Sequence, residues 1–216
     1  MIKIDLHTHS TGSVDGGISA TEYRQVLHDG KLDYIAITDH DTIDTAKTIQ
    51  KEIGERIIVG QEVTTLEGEI IGLYLTKQIP KRLSLKAAVA AIKDQKGLVY
   101  IPHPFETVRS GLTKQSLDSI TEFVDIVEVN NGRAVFQNKG PEAVTWARLN
   151  NKVMASSSDA HGPRGLGTAY TTLDRSPNKQ ILVKLLQKAH RATGKVPLLS
   201  LLYPKYHRLR GKLKRK

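Results

Sequence analysis

The chain has 216 residues, 25% of them charged, a formal net charge of +10 and no cysteine. That length suits one domain with ample core, and the missing thiols exclude disulfides, thiolate metal ligands and a cysteine nucleophile. No run is long and apolar enough to span a bilayer, and the first apolar run stops at Asp5, too early for a signal peptide, so the expectation is a cytoplasmic protein.

Taken in chain order, short apolar runs and amphipathic stretches alternate. The patterns predict a strand over 2–6, a helix over 19–29, a strand over 33–38, a helix over 41–53 and strands over 56–60 and 69–75. They continue with a helix over 84–96, a strand over 98–102, a helix over 113–122 and a strand over 124–129. A helix over 136–150, strands over 153–157 and 168–173, and a helix over 177–192 complete the series. Ser19-Ala20-Thr21-Glu22 is a capping box, and Gly30, Gly54, Gly97 and Gly194 stand where helices should stop. Leu85, Ala88, Val89 and Ile92 share one helical face that should lie against a sheet. Regular β–α alternation argues for a parallel sheet with helices outside, open or closed into a barrel. The stretch 62–75 breaks the rhythm: it reads as a strand, a tight turn and a returning strand, which would distort such a barrel.

Metal-binding residue types concentrate where the strands end. Asp5-Leu6-His7-Thr8-His9 follows the first run, and Thr38-Asp39-His40 follows the second. Gly60-Gln61-Glu62, Pro102-His103-Pro104 and Ser158-Asp159-Ala160-His161 stand in matching positions. A lone His-x-His is weak evidence, but five such junctions at one end of a sheet are most simply read as one multi-metal site at a barrel mouth. About nine donors are too many for a closed structural ion of four ligands, so the pattern points to catalysis.

These five motifs, in this order, resemble the polymerase and histidinol phosphatase (PHP) superfamily over residues 1–173. The resemblance implies an α/β fold, a distorted (β/α)7 barrel, with a two- or three-metal centre that hydrolyses phosphoesters. Carried over by position, one metal would take His7, His9, Glu62 and Asp159. Glu62 would bridge to a second metal that also takes His103, and a third would take Asp15, His40 and His161. Mn2+, Fe2+ or Zn2+ fit imidazole and carboxylate donors. Many relatives carry a further histidine where Glu69 stands here. Either Glu69 replaces it, shifting preference toward Mn2+ or Fe2+, or the second site is one ligand short. Asp39 is expected to orient His40 rather than to bind metal.

The expected reaction is attack by a metal-bound hydroxide on a phosphomonoester, a nucleotide or a short oligonucleotide, with Glu62 and Asp159 as its central carboxylates. Alternatives are a histidinol phosphate phosphatase and a metal-containing accessory module that binds nucleic acid. Arg133, ending the strand 124–129 in Asn130-Asn131-Gly132-Arg133, is either a phosphate ligand or an exposed loop residue. Arg109 and Arg164 have the same claim with less support. His28, His190, His207 and Trp146 read as surface or packing residues.

The PHP-like domain is expected over 1–197 and a basic tail over 198–216. Residues 203–216 hold seven basic side chains, Lys205, Arg208, Arg210, Lys212, Lys214, Arg215 and Lys216, and no acid, leaving 25 basic against 22 acidic residues elsewhere. The tail is open to three readings: a contact for nucleic acid or another anionic partner, a helix packed on the barrel, or a solubilising terminus.

Overall fold

Most of the apolar runs are buried on both faces, as strands of a barrel covered by helices require. The computed structural model describes residues 1–213, with side chains through Arg210. Its strands are β1 (Ile2–Asp5), β2 (Tyr34–Ile37), β3 (Ile57–Thr64), β4 (Glu69–Leu73), β5 (Leu98–Ile101), β6 (Ile126–Asn131), β7 (Val153–Ser157), β8 (Ala169–Leu173) and β9 (His190–Thr193). The helices are α1 (Ala20–His28), α2 (Asp44–Ile53), α3 (Leu85–Asp94), α4 (Lys114–Asp118), α5 (Gly140–Leu149), α6 (Leu182–Leu186) and α7 (Tyr203–Leu213).

The strands form one sheet in the order β7-β6-β5-β4-β3-β2-β1-β8-β9. It curls into a nearly closed barrel. β1, β2 and β3 are parallel, as are β5, β6 and β7, whereas β4 runs antiparallel to both its neighbours. This is the distortion expected from the hairpin at 62–75. Strand alternation separates two cores. Ile35, Ile37, Ile57, Val59, Val99, Ile101, Val127 and Val129 pack with the helices α1 to α5. Their neighbours Ala36, Ile58, Tyr100 and Ile126 join Ile4, Ile71 and Ala155 in a second cluster, sealed by Leu182, Leu185 and Leu186 of α6.

Local signals behave as their chemistry demands. Ser19 and Glu22 form the capping box of α1. Ser84 caps α3 by accepting from Ala87 N, and Glu67 accepts from Leu85 N at 2.8 Å. Gly54 ends α2 at φ 98°, a conformation that L side chains resist.

One expectation fails. The helix predicted over 177–192 is only α6, and His190–Thr193 is a strand that pairs antiparallel with β8. Helix-forming residues there yield to the open edge of β8 and to Ser156 Oγ, which donates to Ala192 O at 2.6 Å. Gly194 therefore follows a strand, not a helix. The stretch 113–122 also shortens, to α4 and a 3-10 turn at Thr121–Phe123. Within 198–213, a 3-10 turn at Leu198–Leu202 leads into α7. The side chains of Lys212, Lys214, Arg215 and Lys216 lie outside the described residues. No described helix is long and apolar enough to cross a membrane.

The barrel closes between β7 and β8 through one side chain. Fully buried Thr171 accepts from Ser156 N at 2.9 Å and donates to Ser156 O at 3.0 Å. Thr171→Val keeps the shape but removes both bonds, and should lower unfolding stability by about 1–3 kcal/mol, the cost of a buried unpaired backbone group. Thr171→Ser should lose much less. Urea midpoints of the two variants check this, and equal losses would assign the effect to packing.

Candidate metal centre

Backbone pairing continues beyond the strand ends and fixes the loops at the barrel mouth. His9 N donates to Ala160 O at 2.8 Å, Asp159 N to His7 O at 2.9 Å and Thr38 N to Thr8 O at 2.9 Å. His7 and His9 thus follow β1, His40 follows β2, Glu62 lies on β3, His103 follows β5, and Asp159 and His161 follow β7. Glu69 opens β4, and because β4 is reversed its first residue faces the same mouth. Asp15 arrives from the loop after β1. His103 and Asp159 have φ of 28° and 52°, in or near the left-handed region where non-glycine residues cost about 1–2 kcal/mol. Two bonds hold them there: His103 N donates to Glu128 Oε2 at 2.7 Å, and Asp159 N to His7 O.

All nine expected donors come together. His9, Asp15, His40 and His161 form one group whose ligand atoms lie within 4.8 Å of one another, and His7, Glu62 and His103 form a second. His7, His9 and Asp159 make a third, and His40, Glu62 and Glu69 a fourth. Glu62 joins these groups. Its Oε1 is 3.1 Å from His103 Nε2, and its Oε2 lies 3.3–3.4 Å from His7 Nε2, His9 Nε2 and His40 Nδ1. Asp159 Oδ1 faces His7, His9 and His161 at 3.3–3.6 Å, while its Oδ2 accepts from Arg109 Nη1 at 3.1 Å and Asn131 Nδ2 at 3.3 Å. Converging imidazole nitrogens and carboxylate oxygens without thiolate are a donor set that fits divalent cations.

The electrostatics follow from burying so many charges. Burial alone would lower His7, but Asp159, Glu62 and Glu128 outweigh it and hold its pKa well above the usual imidazole value. His9 likewise overcomes burial through Asp159 and Glu62 and is raised to about 9. Burial wins at His161, aided by repulsion from His9 and Arg133, and lowers it to about 3. Burial and the nearby Glu62 charge push Glu69 up to about 9. Despite burial, Glu62 and Asp159 are held well below the carboxylate range, with His7 the leading cause in each case.

Supporting residues that sequence reasoning missed lie beneath the ligands. Glu128, 2% exposed, lies 3.2 Å from His7 Nδ1 through Oε1, which also accepts from Tyr100 OH at 2.9 Å. Its Oε2 takes His103 N and Asn131 Nδ2. The signal was an acid inside the apolar strand Ile126-Val127-Glu128-Val129. Asp5 accepts from the backbone of His7 and Ser158, and burial raises its pKa to about 7. Arg109, held by Glu106, reaches Asp159, whereas Arg164 is exposed in the turn Pro163–Gly165. Asp39 does not orient His40: its two oxygens accept from Ser10 N at 2.6 Å and Ser10 Oγ at 2.5 Å. Arg133 is not an exposed loop residue. It lines the cavity, and its Nη1 lies 3.1 Å from His161 Nδ1. The cavity over the donors has a volume of about 270 Å3.

The chain is 34% identical over 150 residues to an uncharacterized protein of Methanocaldococcus jannaschii, covering 63% of this chain and 88% of that one. It is 37% identical over 103 residues to a Haemophilus influenzae protein named 5'-3' exoribonuclease, covering 44% of this chain and 37% of the relative. A solved Bacteroides vulgatus two-domain protein, described as containing a predicted PHP-like metal-dependent phosphoesterase, superposes with a TM-score of 0.73 at 20% identity, over 89% of this chain and 65% of that one. The PHP domain model matches residues 5–191, and the chain belongs to the PHP domain family.

Proposed function

We propose that this chain is a metal-dependent phosphoesterase that hydrolyses phosphomonoesters, nucleotides or the ends of short oligonucleotides. The observation that carries the reading is Arg133. It lines the cavity beside the donor groups, and its Nε–H is buried with no partner among the described residues. An unmet buried donor of that kind costs about 1–3 kcal/mol, and a phosphate oxygen is the natural acceptor for a guanidinium. The exoribonuclease name of the Haemophilus influenzae relative supports the oligonucleotide end of the range. A cavity of about 270 Å3 suits a single small ester group better than a duplex.

In this reading His7, His9, Glu62 and Asp159 hold one ion, Glu62 and His103 a second with Glu69 close by, and Asp15, His40 and His161 a third. Two or three of Mn2+, Fe2+ or Zn2+ suit the donors. When bound, divalent cations neutralise phosphate oxygens and lower the pKa of a coordinated water. Glu62 keeps the groups in register because each of its oxygens serves different imidazoles. Arg133 and Arg109 hold and orient the phosphate from the side of Asp159. Glu128 fixes the ring of His7 and the backbone of His103, so it positions ligands without touching substrate.

Three outcomes follow. A panel of phosphorylated metabolites, nucleotides and short oligonucleotides with Mn2+ should reveal turnover that Glu62→Gln lowers by orders of magnitude at nearly unchanged volume. Near-normal turnover with full metal content in that variant would remove Glu62 from its central role. Glu128→Gln should instead weaken metal affinity, roughly 10- to 100-fold, as is typical when an imidazole loses its supporting carboxylate. Chelator competition reads this directly, and unchanged affinity would leave Glu128 a folding residue only. The third outcome is proton release. With pKa raised to about 9, His9 and Glu69 hold protons at pH 7 that a cation must displace. Metal affinity should therefore rise with pH through about 9, where His9 and Glu69 give up their protons, and Glu69→Ala should release fewer protons. Titration calorimetry in buffers of different ionisation enthalpy counts them.

A further inference from the structure

Helix α7 is seated on the two loops that carry Asp15 and His161. Gly17 leaves the space filled by the His207 ring, since a Cβ there would lie 2.2 Å from His207 Nε2. Gly162 does the same for Tyr203, whose ring atoms would lie 2.5–2.7 Å from an added Cβ. Tyr203 and His207 stack on one another, with ring centroids 5.9 Å apart, and Pro204 is buried beside them. Two glycines next to candidate ligands thus make a socket for one turn of this helix, and that turn aims Arg208 at the cavity.

Arg208 Nη2 donates to Asp15 Oδ2 at 2.5 Å. The other oxygen, Oδ1, faces His161 Nε2 at 3.6 Å and His40 Nε2 at 3.7 Å. Asp15 therefore divides its two oxygens: Oδ1 looks into the donor group and Oδ2 looks out to the helix. A cation taken by Oδ1 and the imidazoles does not compete with Arg208. The Arg208 side chain is 59% exposed and lines the cavity together with Pro204 and Arg133. A planar guanidinium with one nitrogen pinned by a carboxylate still presents further N–H groups in fixed directions. It stands on the His161 side of the donors, whereas Arg109 reaches Asp159 by the other oxygen of that residue.

We propose that Arg208 is a substrate-binding residue, a guanidinium that α7 delivers to the mouth to grip an anionic oxygen of the phosphoester. This rests on the phosphoesterase reading above and extends it to the C-terminal helix. The ligand chemistry is a phosphate group, and the role of α7 is to hold its receptor in place.

The test uses the full chain loaded with Mn2+ and compares Arg208→Ala, Arg208→Lys and Arg210→Ala. Arg210 lies on the same helix and controls for general positive charge. Titration calorimetry with inorganic phosphate and steady-state kinetics on the best substrate are the readouts, with metal content measured on each protein. Arg208→Ala should weaken phosphate binding and raise KM by roughly 10- to 100-fold, with kcat changing far less. Arg208→Lys should recover part of the loss, and Arg210→Ala should match the parent. Unchanged phosphate affinity and KM in Arg208→Ala would overturn the proposal, as would a loss that tracks reduced metal content, because Arg208 would then only brace Asp15. Equal losses in Arg210→Ala would overturn it too, by assigning the effect to bulk charge. A parent protein that turns over no phosphoester defeats the functional reading. A parent that is active while Arg208→Ala equals it defeats only this inference.

Discussion

Glu62 is 1% exposed and lies within 3.4 Å of four imidazoles, and the rest of the mouth is organised around that charge. A carboxylate taken this far from water is costly unless it is paired on every side. The pairing needs partners from different strands: His7 and His9 after β1, His40 after β2 and His103 after β5. They meet only if the strands end together around a closed mouth. The β3–β4 hairpin, the parallel pairing past the strand ends and the Thr171 bridge all serve that end. The shifted protonation of His7, His9 and Glu69 has the same origin, because a buried cluster of acids and imidazoles must share protons or cations.

Most of the donors were legible because they stand at or near the end of an apolar run, where spacing along the chain maps directly to position around the barrel; Asp15, in the loop after β1, came only from the family resemblance. Glu69 was visible only through the family resemblance, as the residue standing where many relatives carry a histidine; the reversal of β4 is what returns it to the mouth. The residues beneath the donors were not legible in this way. Glu128 sits inside a strand whose other members are apolar, and its partners His7 and Tyr100 lie 121 and 28 residues away. Asp39 was assigned to the neighbouring His40, yet backbone geometry turns it to Ser10. The strand β9 was hidden by residues that favour helix, because the edge of β8 that recruits it is a tertiary feature.

The C-terminal segment shows the same limit from the other side. Its composition reads as a basic extension, and composition alone leaves its partner open. Yet Arg208 and Asp15 are 193 residues apart and meet at 2.5 Å. The complementary signal lay in Gly17 and Gly162, whose missing side chains leave the space taken by His207 and Tyr203. Glycines beside metal-binding residues are ordinarily read as backbone freedom. Here Gly162 is extended at φ −163°, so its smallness serves close approach and not an unusual turn.

Asp15 and Asp159 solve one problem in the same way. Each turns one oxygen to imidazoles inside the cluster and the other to an arginine, Arg208 for Asp15 and Arg109 for Asp159, with Arg133 also 3.5 Å from the inward oxygen of Asp159. A carboxylate that binds on one face only would be free to rotate and take its second oxygen inward, changing the number of donors presented to an ion. An arginine on the outer oxygen fixes that choice, and in the phosphoesterase reading proposed above it also places positive charge where a phosphate would arrive. The two functions need not be separate: in that reading the groups that hold the carboxylates in register are also the groups best placed to meet a phosphoester. On that argument the electrostatic ring of this mouth is built in two layers. Acids and imidazoles face inward, with Arg109, Arg133 and Arg208 behind and around them, and α7 belongs to the outer layer as much as the barrel loops do.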